Sequence, residues 1–275
     1  MKKHITITKL ISYTILFIGS VSILVPFIWM ILTSVKPSNE VLQMPPKWIP
    51  SKFLWGNYAE AYKAISFGQY FFNSVFVAIC VTTGELITTI LAAFAFSNIN
   101  FKFKHIIFII LISTMMVPSE ILLVPNYVTL SEFGWINSYK ALIIPWCASI
   151  FSIFLLRQQF LKIPDSYYKA AKMDGCSDFR YLFTIMVPMS IPTLMSISIL
   201  KFINCWNSYM WPLIVTNSTK MRTLPVALAA FSTEAGTKYN MLMAFSAMII
   251  IPILVVYFFT QKYIIKGISK AGLKG

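Results

Sequence analysis

The sequence predicts an all-α, polytopic membrane protein with six transmembrane helices. Composition carries the first half of that reading: of 275 residues 57% are hydrophobic and 12% charged, and the mean hydropathy is +0.72. A soluble domain averages about 25% charged residues. Patterning carries the second half, because the apolar residues gather into runs near the length that crosses a bilayer core, about 20 helical residues. The short alternating segments of a transmembrane barrel are not the pattern.

Six runs follow in order: 10–32, 71–96, 106–125, 141–156, 186–215 and 242–265. The first begins after Lys2, Lys3 and Lys9, as a secretory signal would. It is longer than a signal core of about 7–15 residues, and it ends at Ile31-Leu32-Thr33-Ser34 without an Ala-x-Ala site, so an uncleaved span is expected. Pro26, Gly84, Pro118, Pro145, Pro192 and Pro252 fall inside the runs and predict kinks or interruptions. Neighbouring helices can satisfy the backbone groups such breaks release.

Lysine and arginine give the orientation, since flanking positive charge stays on the cytoplasmic side. The larger set is Lys2, Lys3, Lys9, Lys102, Lys104, Arg157, Lys162, Lys169, Lys172, Arg180, Lys262, Lys266, Lys270 and Lys274. The smaller is Lys36, Lys47, Lys52, Lys63, Lys140, Lys220, Arg222 and Lys238. Both termini are therefore expected in the cytoplasm, with the chain multi-pass in the cell membrane. The net charge of +14 reflects these span edges and their contact with anionic headgroups. It forms no basic stripe with stacking aromatics, so no nucleic-acid partner is expected.

Cys80, Cys147, Cys176 and Cys205 are scattered, and His4 and His105 are the two histidines, so neither a metal site nor a disulfide scaffold is predicted. No Gly-x-x-x-x-Gly-Lys-Ser/Thr loop is present to cradle ATP. No cofactor is expected, and any nucleotide chemistry belongs to a partner chain.

The polar stretch between the fourth and fifth runs reads as two short helices around a glycine. Pro164 with Asp165 or Ser166 starts the first. Tyr167, Ala170, Ala171 and Asp174 fall on one face, which the alanines keep low enough for a partner to approach closely. Gly175 suits the left-handed residue that ends a helix, and Ser177-Asp178 can cap the next. Phe179, Leu182, Phe183 and Met186 lead that helix toward the membrane. An amphipathic helix lying at the interface reads equally well from these residues.

Lys169-Ala170-Ala171, Gly175 and Ile185-Met186-Val187-Pro188 resemble the EAA loop of ABC-importer permeases, with lysine at the family's glutamate and valine at its leucine. The lysine reverses a charge expected to meet the ATPase, and Asp174 is the acidic candidate left nearby. Asn73-Ser74, Met116-Val117-Pro118, Ile153 to Gln158, Trp206-Asn207-Ser208-Tyr209-Met210-Trp211-Pro212-Leu213, Arg222-Thr223-Leu224-Pro225-Val226 and the closing Lys270-Ala271-Gly272-Leu273-Lys274-Gly275 extend the resemblance to nearly the whole chain. They resemble the carbohydrate-importer branch, close to the G subunit of the maltose system.

The resemblance implies a binding-protein-dependent type I (MetI-like) importer. The chain would be a permease subunit and not an enzyme, paired with a second, different permease, two ATP-binding subunits and an extracytoplasmic solute-binding protein that delivers a carbohydrate. Three regions are implied: 1–70 as first span and external loop, 71–265 as the core with a coupling loop at about 164–188, and 266–275 as a cytoplasmic tail. Lys169, Ala170, Ala171, Asp174, Gly175 and Pro188 would couple to the ATPase. The external loop around Trp48 and Trp55 is a place for the binding protein to touch, or simply an ordered loop.

For the pathway, the ionisable residues Glu85, Glu120 and Lys201 are expected either to pair with one another or to meet solute, because charge at membrane depth is costly. Asn204, Trp206 and Asn207 add amides and an indole suited to sugar hydroxyls and ring faces, though aromatic residues also anchor spans at the interface. The alternative is an ion-coupled secondary transporter or channel, which would need no docking loop.

Overall fold

The computed structural model describes residues 7–233 and 236–272. Lys2, Lys3 and Lys274 lie outside the described residues, as do positions 273–275 of the expected tail. In chain order the helices are α1 Ile7–Ser34, α2 Ser38–Val41, α3 Gly56–Ala64, α4 Phe67–Ser97, α5 Lys104–Thr114, α6 Leu123–Glu132, α7 Tyr139–Ile143, α8 Ile150–Phe160, α9 Asp165–Met173 and α10 Asp178–Tyr181. They continue with α11 Val187–Met189, α12 Ile191–Trp206, α13 Met210–Val215, α14 Leu224–Ala227 and α15 Tyr239–Gly272. A two-residue antiparallel pairing, β1 Ser232–Thr233 with β2 Gly236–Thr237, is the one strand pairing among the described residues. The all-α class holds.

Three helices can cross a bilayer unbroken: Lys9–Ser34, Phe67–Ser97 and Tyr239–Gln261. Two bent pairs, Tyr139–Trp146 with Ile150–Phe160 and Asp178–Met189 with Ile191–Trp206, raise the candidates to five. The predicted run 106–125 is not one helix. Its α5 has 11 residues, about 16 Å at about 1.5 Å per residue against a core of about 30 Å. Turns from Met115 to Leu123 follow it, and Pro118, which lacks an amide donor and biases Val117 away from helix, sits among them. The run 186–215 likewise divides at Ser190 and at Asn207–Tyr209, with a bend of 79° at the first break. Just before that bend, Leu182–Met186 is a π-helical turn, and Pro188 removes one backbone donor from the ladder beyond it.

The chain forms two compact units. One draws on the described chain up to Phe67 and on Ala227–Pro252. Its α1 is apolar throughout, and none of its apolar window is buried by the rest of the chain, as befits a helix facing lipid or another subunit. Phe245 packs against Phe67 at 5.9 Å and Phe231 at 5.3 Å. The segment between α1 and α3 is cross-linked by polar groups. Glu40 accepts from the Ser51 hydroxyl, from Ser51 N at 3.1 Å and from Lys47 Nζ at 3.1 Å. These contacts, the Ser51 hydroxyl first, hold the Glu40 carboxyl down to about 2. Lys36 is buried, donates to Lys47 O at 2.5 Å and sits 4.0 Å from the Trp29 ring centroid.

The other unit comprises Gly68–Val226 and the chain from Ile253. One apolar core joins α8 to the α9–α10 elbow through Leu156, Phe160, Ala171, Tyr181, Leu182 and Met186. A second joins α4, α7 and α13 through Val77, Val81, Leu142, Trp211 and Val215. At Gly84 the approach of α4 to Cys147 is so close that a Cβ would lie 2.6 Å from Cys147 Sγ.

Candidate functional site

Between these cores, α4, α8 and α12 converge on Glu85. Its carboxylate is 2% exposed, Oε1 accepts from Ser152 Oγ at 2.6 Å, and Oε2 faces Lys201 Nζ at 2.5 Å. The Lys201 contact is an ion pair off the hydrogen-bonding angle, so its attraction is mainly Coulombic. Lys201 also lies 5.9 Å from the Trp146 ring centroid. Removing one partner from so buried a pair strands a charge and typically costs about 3–5 kcal/mol.

The pair lines a cavity of about 460 Å³, within the range of about 300–1,000 Å³ for small-molecule sites. Glu85, Lys201 and Asn204 are in its wall, while Glu120, Trp206 and Asn207 are not. Helical spacing explains why Trp206 is left out on α12: Ile197, Lys201, Asn204 and Cys205 recur at three- and four-residue intervals and share the cavity face. Trp206 points elsewhere, 2% exposed and packed on Phe71 and Phe202. Asn207 is exposed at the C-terminal cap of α12. Glu120 is exposed in the turns after Pro118 beside Ser119, which does line the cavity. Sequence reasoning missed Ser149, Ser152, Trp146 and Thr223 as wall residues. Ser149 Oγ accepts Ser152 N at 3.3 Å as the N-cap of α8, a helix-start pattern that does not by itself point to a cavity.

One end of the cavity is fixed by a clamp. Asn73 Nδ2 donates to Lys220 O at 2.8 Å and Arg222 O at 2.9 Å, and Asn73 Oδ1 accepts from Tyr139 OH at 2.6 Å. Ser74 Oγ accepts from Leu224 N at 2.8 Å. Two motif pieces far apart in sequence, Asn73-Ser74 and Arg222-Thr223-Leu224, are thus one contact. Trp211 Nε1 donates to Ala141 O at 3.0 Å and its ring meets Trp146 edge-on at 5.8 Å.

The second candidate site is the elbow of α9 and α10. Gly175 has φ +72°, its N–H reaches Lys172 O at 3.1 Å, and Cys176 N–H reaches Ala171 O at 2.9 Å. That pair of bonds is the Schellman arrangement, which closes the orphan carbonyls of α9. Ser177 Oγ accepts Arg180 N at 3.3 Å and caps α10. Asp178 ties the two helices together, with Lys172 Nζ and Tyr168 OH each 2.8 Å from Oδ1. Lys172 and then Tyr168 hold the Asp178 carboxyl below its ordinary range, and Asp178 in turn raises the Lys172 ammonium. Ala171 is buried against the core beneath α10, whereas Lys169, Ala170, Asp174, Gly175 and Pro188 are exposed. The low face foreseen at Ala170 and Ala171 is therefore divided: Ala171 packs inward, and Ala170 shares the outer surface with Tyr167, Met173, Asp174 and Phe179.

Residues 85–270 match the family described as binding-protein-dependent transport system inner membrane component. The chain belongs to this family. It is a transport permease of the inner membrane that works with a solute-binding protein, and it is not an enzyme. The permease is 33% identical over 269 residues to the arabinooligosaccharides transport system permease protein AraQ of Bacillus subtilis, covering 96% of each chain. It is 31% identical over 271 residues to the sn-glycerol-3-phosphate transport system permease protein UgpE of Agrobacterium fabrum, covering 95% of this chain and 96% of that one. A crystal structure of a bacterial ABC transporter that imports the acidic polysaccharide alginate superposes with TM-score 0.83 at 22% identity, over 96% of this permease and 99% of that chain, and so shares its fold. Family membership sets aside the ion-coupled transporter or channel.

Proposed function

We propose that the permease is one half of the translocation pathway of an ATP-driven importer for a sugar or related carbohydrate, and that the α9–α10 elbow is its coupling element. The second half is a different permease chain, the motor is a pair of ATP-binding subunits, and an extracytoplasmic binding protein delivers the solute. The termini and the elbow face the cytoplasm, on the side marked by the larger set of basic residues. The core of 71–265 forms the pathway and transmits motion through the loop at about 164–188.

One observation supports coupling most directly. On a short polar helix pair, Met173 is 83% exposed and Phe179 68% exposed, and Tyr167 and Ala170 are exposed as well. Large apolar side chains left exposed on a polar, internally cross-linked elbow fit a surface that another protein covers. Lys169, Ala170, Asp174 and Gly175 present its polar and small groups to that partner. Behind it, Ala171, Tyr181, Leu182 and Met186 form the packed base that passes displacement through Pro188 and the 79° bend to α12. Lys201 and Asn204 stand on α12, so the motor's stroke reaches the cavity wall. The wall's hydroxyls, amide and indoles suit a polyhydroxylated solute, and a relative named for arabinooligosaccharide transport supports the same class.

The test is ATP-dependent uptake by cells carrying the complete importer. Ala170→Trp should abolish most uptake while the amount of permease in the membrane stays unchanged, and Ala170→Ser should retain it. Full uptake with tryptophan at that exposed position would remove the coupling assignment.

A further inference from the structure

Among the described residues the cavity wall holds two charged side chains, Glu85 and Lys201, and they are of opposite sign and 2.5 Å apart. The other polar groups of the wall are uncharged. The geometry points to a charge filter: the Glu85–Lys201 pair keeps this chain's share of the pathway wall neutral, so the permease favours neutral polyhydroxylated solutes and turns away phosphorylated or carboxylated ones. This rests on the carbohydrate reading and narrows it.

The reasoning is electrostatic. An anionic solute seeking Lys201 meets an ammonium already satisfied by a carboxylate. To bind, it must displace Glu85, leaving a carboxylate that is 2% exposed without its counter-charge, or else lie beside that carboxylate as a like charge. A cationic solute faces the mirror problem at Lys201. A neutral sugar meets neither, and the wall offers it what it needs: hydroxyls such as Ser74 and Ser149, the Asn204 amide and the faces of Trp146 and Trp211. Ser152 belongs to the filter instead, since its hydroxyl is committed to Glu85.

Asn204 is exposed on the cavity face and gives a reporter position. In membrane vesicles holding the assembled importer, Asn204→Cys is modified with anionic and cationic methanethiosulfonates of equal size, and the reaction of the native cysteines is subtracted with the unsubstituted chain. The two reagents should react at rates within about threefold of each other, because the paired charges cancel. Adding Glu85→Gln should raise the anionic-to-cationic ratio about tenfold, and adding Lys201→Gln should lower it about tenfold. Combining both substitutions should return it to the starting value, which separates a charge effect from damage to the fold. A tenfold bias before any charge is removed, or a ratio that neither substitution moves, overturns the filter. Uptake supplies the second arm, with arabinotriose and sn-glycerol 3-phosphate as probes delivered by the importer's own binding protein. Import of the phosphate ester by the unsubstituted importer also overturns the filter. A neutral ratio in an importer that moves an uncharged solute other than a sugar defeats the carbohydrate reading while leaving the filter standing.

Discussion

Gly175 holds a backbone conformation, φ +72°, that costs residues with a Cβ roughly 1–2 kcal/mol. Nothing lies within 4 Å of where that Cβ would stand. Gly175→Ala should therefore weaken the elbow by about 1 kcal/mol through backbone strain alone, seen as faster amide exchange across α9 and α10 with the protein still assembled. Gly84 is the opposite case, where space decides. A methyl there would meet Cys147 Sγ at 2.6 Å, and overpacking of this kind typically costs about 1–3 kcal/mol. Gly84→Ala should lower the thermal stability of the purified importer, and adding Cys147→Ala, which removes the sulfur, should restore much of it. Gly175 was legible in the sequence because a glycine following a helical pattern and preceding a capping serine has one common use. The constraint at Gly84 was not, since only the approach of Cys147 from a distant segment creates it. The division of the pathway residues has the same origin: charge singled out Glu85 and Lys201 as costly, but Trp206 and Asn207 were grouped with Asn204 by chemistry, when helical phase turns Trp206 away and Asn207 sits at the cap where α12 ends.

Elements carry two further expectations. The clamp from α4 holds the backbone of Lys220 and Arg222 through two hydrogen bonds from one amide, each worth about 1 kcal/mol net. Asn73→Ala should loosen that segment, and trypsin, which cuts after lysine and arginine, should cleave at Lys220 and Arg222 faster than in the unsubstituted protein. Unchanged cleavage would assign the segment's order to something other than the clamp. The elbow should also respond to acid. Asp178 has a depressed pKa in the folded state, so its contribution is present above the unfolded value of about 3.9 and fades as pH falls through the lower folded value. Lys172 is raised, so its share of the same pair is present below its unfolded value and lost only as pH climbs through the raised one. Amide exchange in α9 and α10, corrected for intrinsic rates, should accordingly be flat from neutral pH to about 5 and rise below about 4, and Asp178→Asn should abolish that rise. Hydropathy located the apolar runs but not their breaks. A window sees the same average whether 106–125 is one helix or an 11-residue helix followed by turns, and Pro118 signalled an interruption without saying how far it would extend. At 141–156 and 186–215 the prolines did mark runs that bend.

At the scale of the whole molecule, the class followed from composition and hydropathy, and charge and the glycine-centred loop pointed to the two candidate sites. The inward burial of Ala171 did not, because periodicity defines a face without saying which neighbour claims it. The permease presents α1 with none of its apolar window buried within the chain and an elbow with exposed Met173 and Phe179. On the proposed function, lipid and other subunits cover those surfaces. A benzophenone attached through Met173→Cys, in membranes carrying the permease, its partner permease, the ATP-binding subunits and the external binding protein, reports directly which chain covers the elbow. The account predicts a covalent adduct with the ATP-binding subunit whose yield changes between nucleotide-free and ATP-bound conditions. An adduct with the external binding protein, or none with the ATP-binding subunit under either condition, would contradict it.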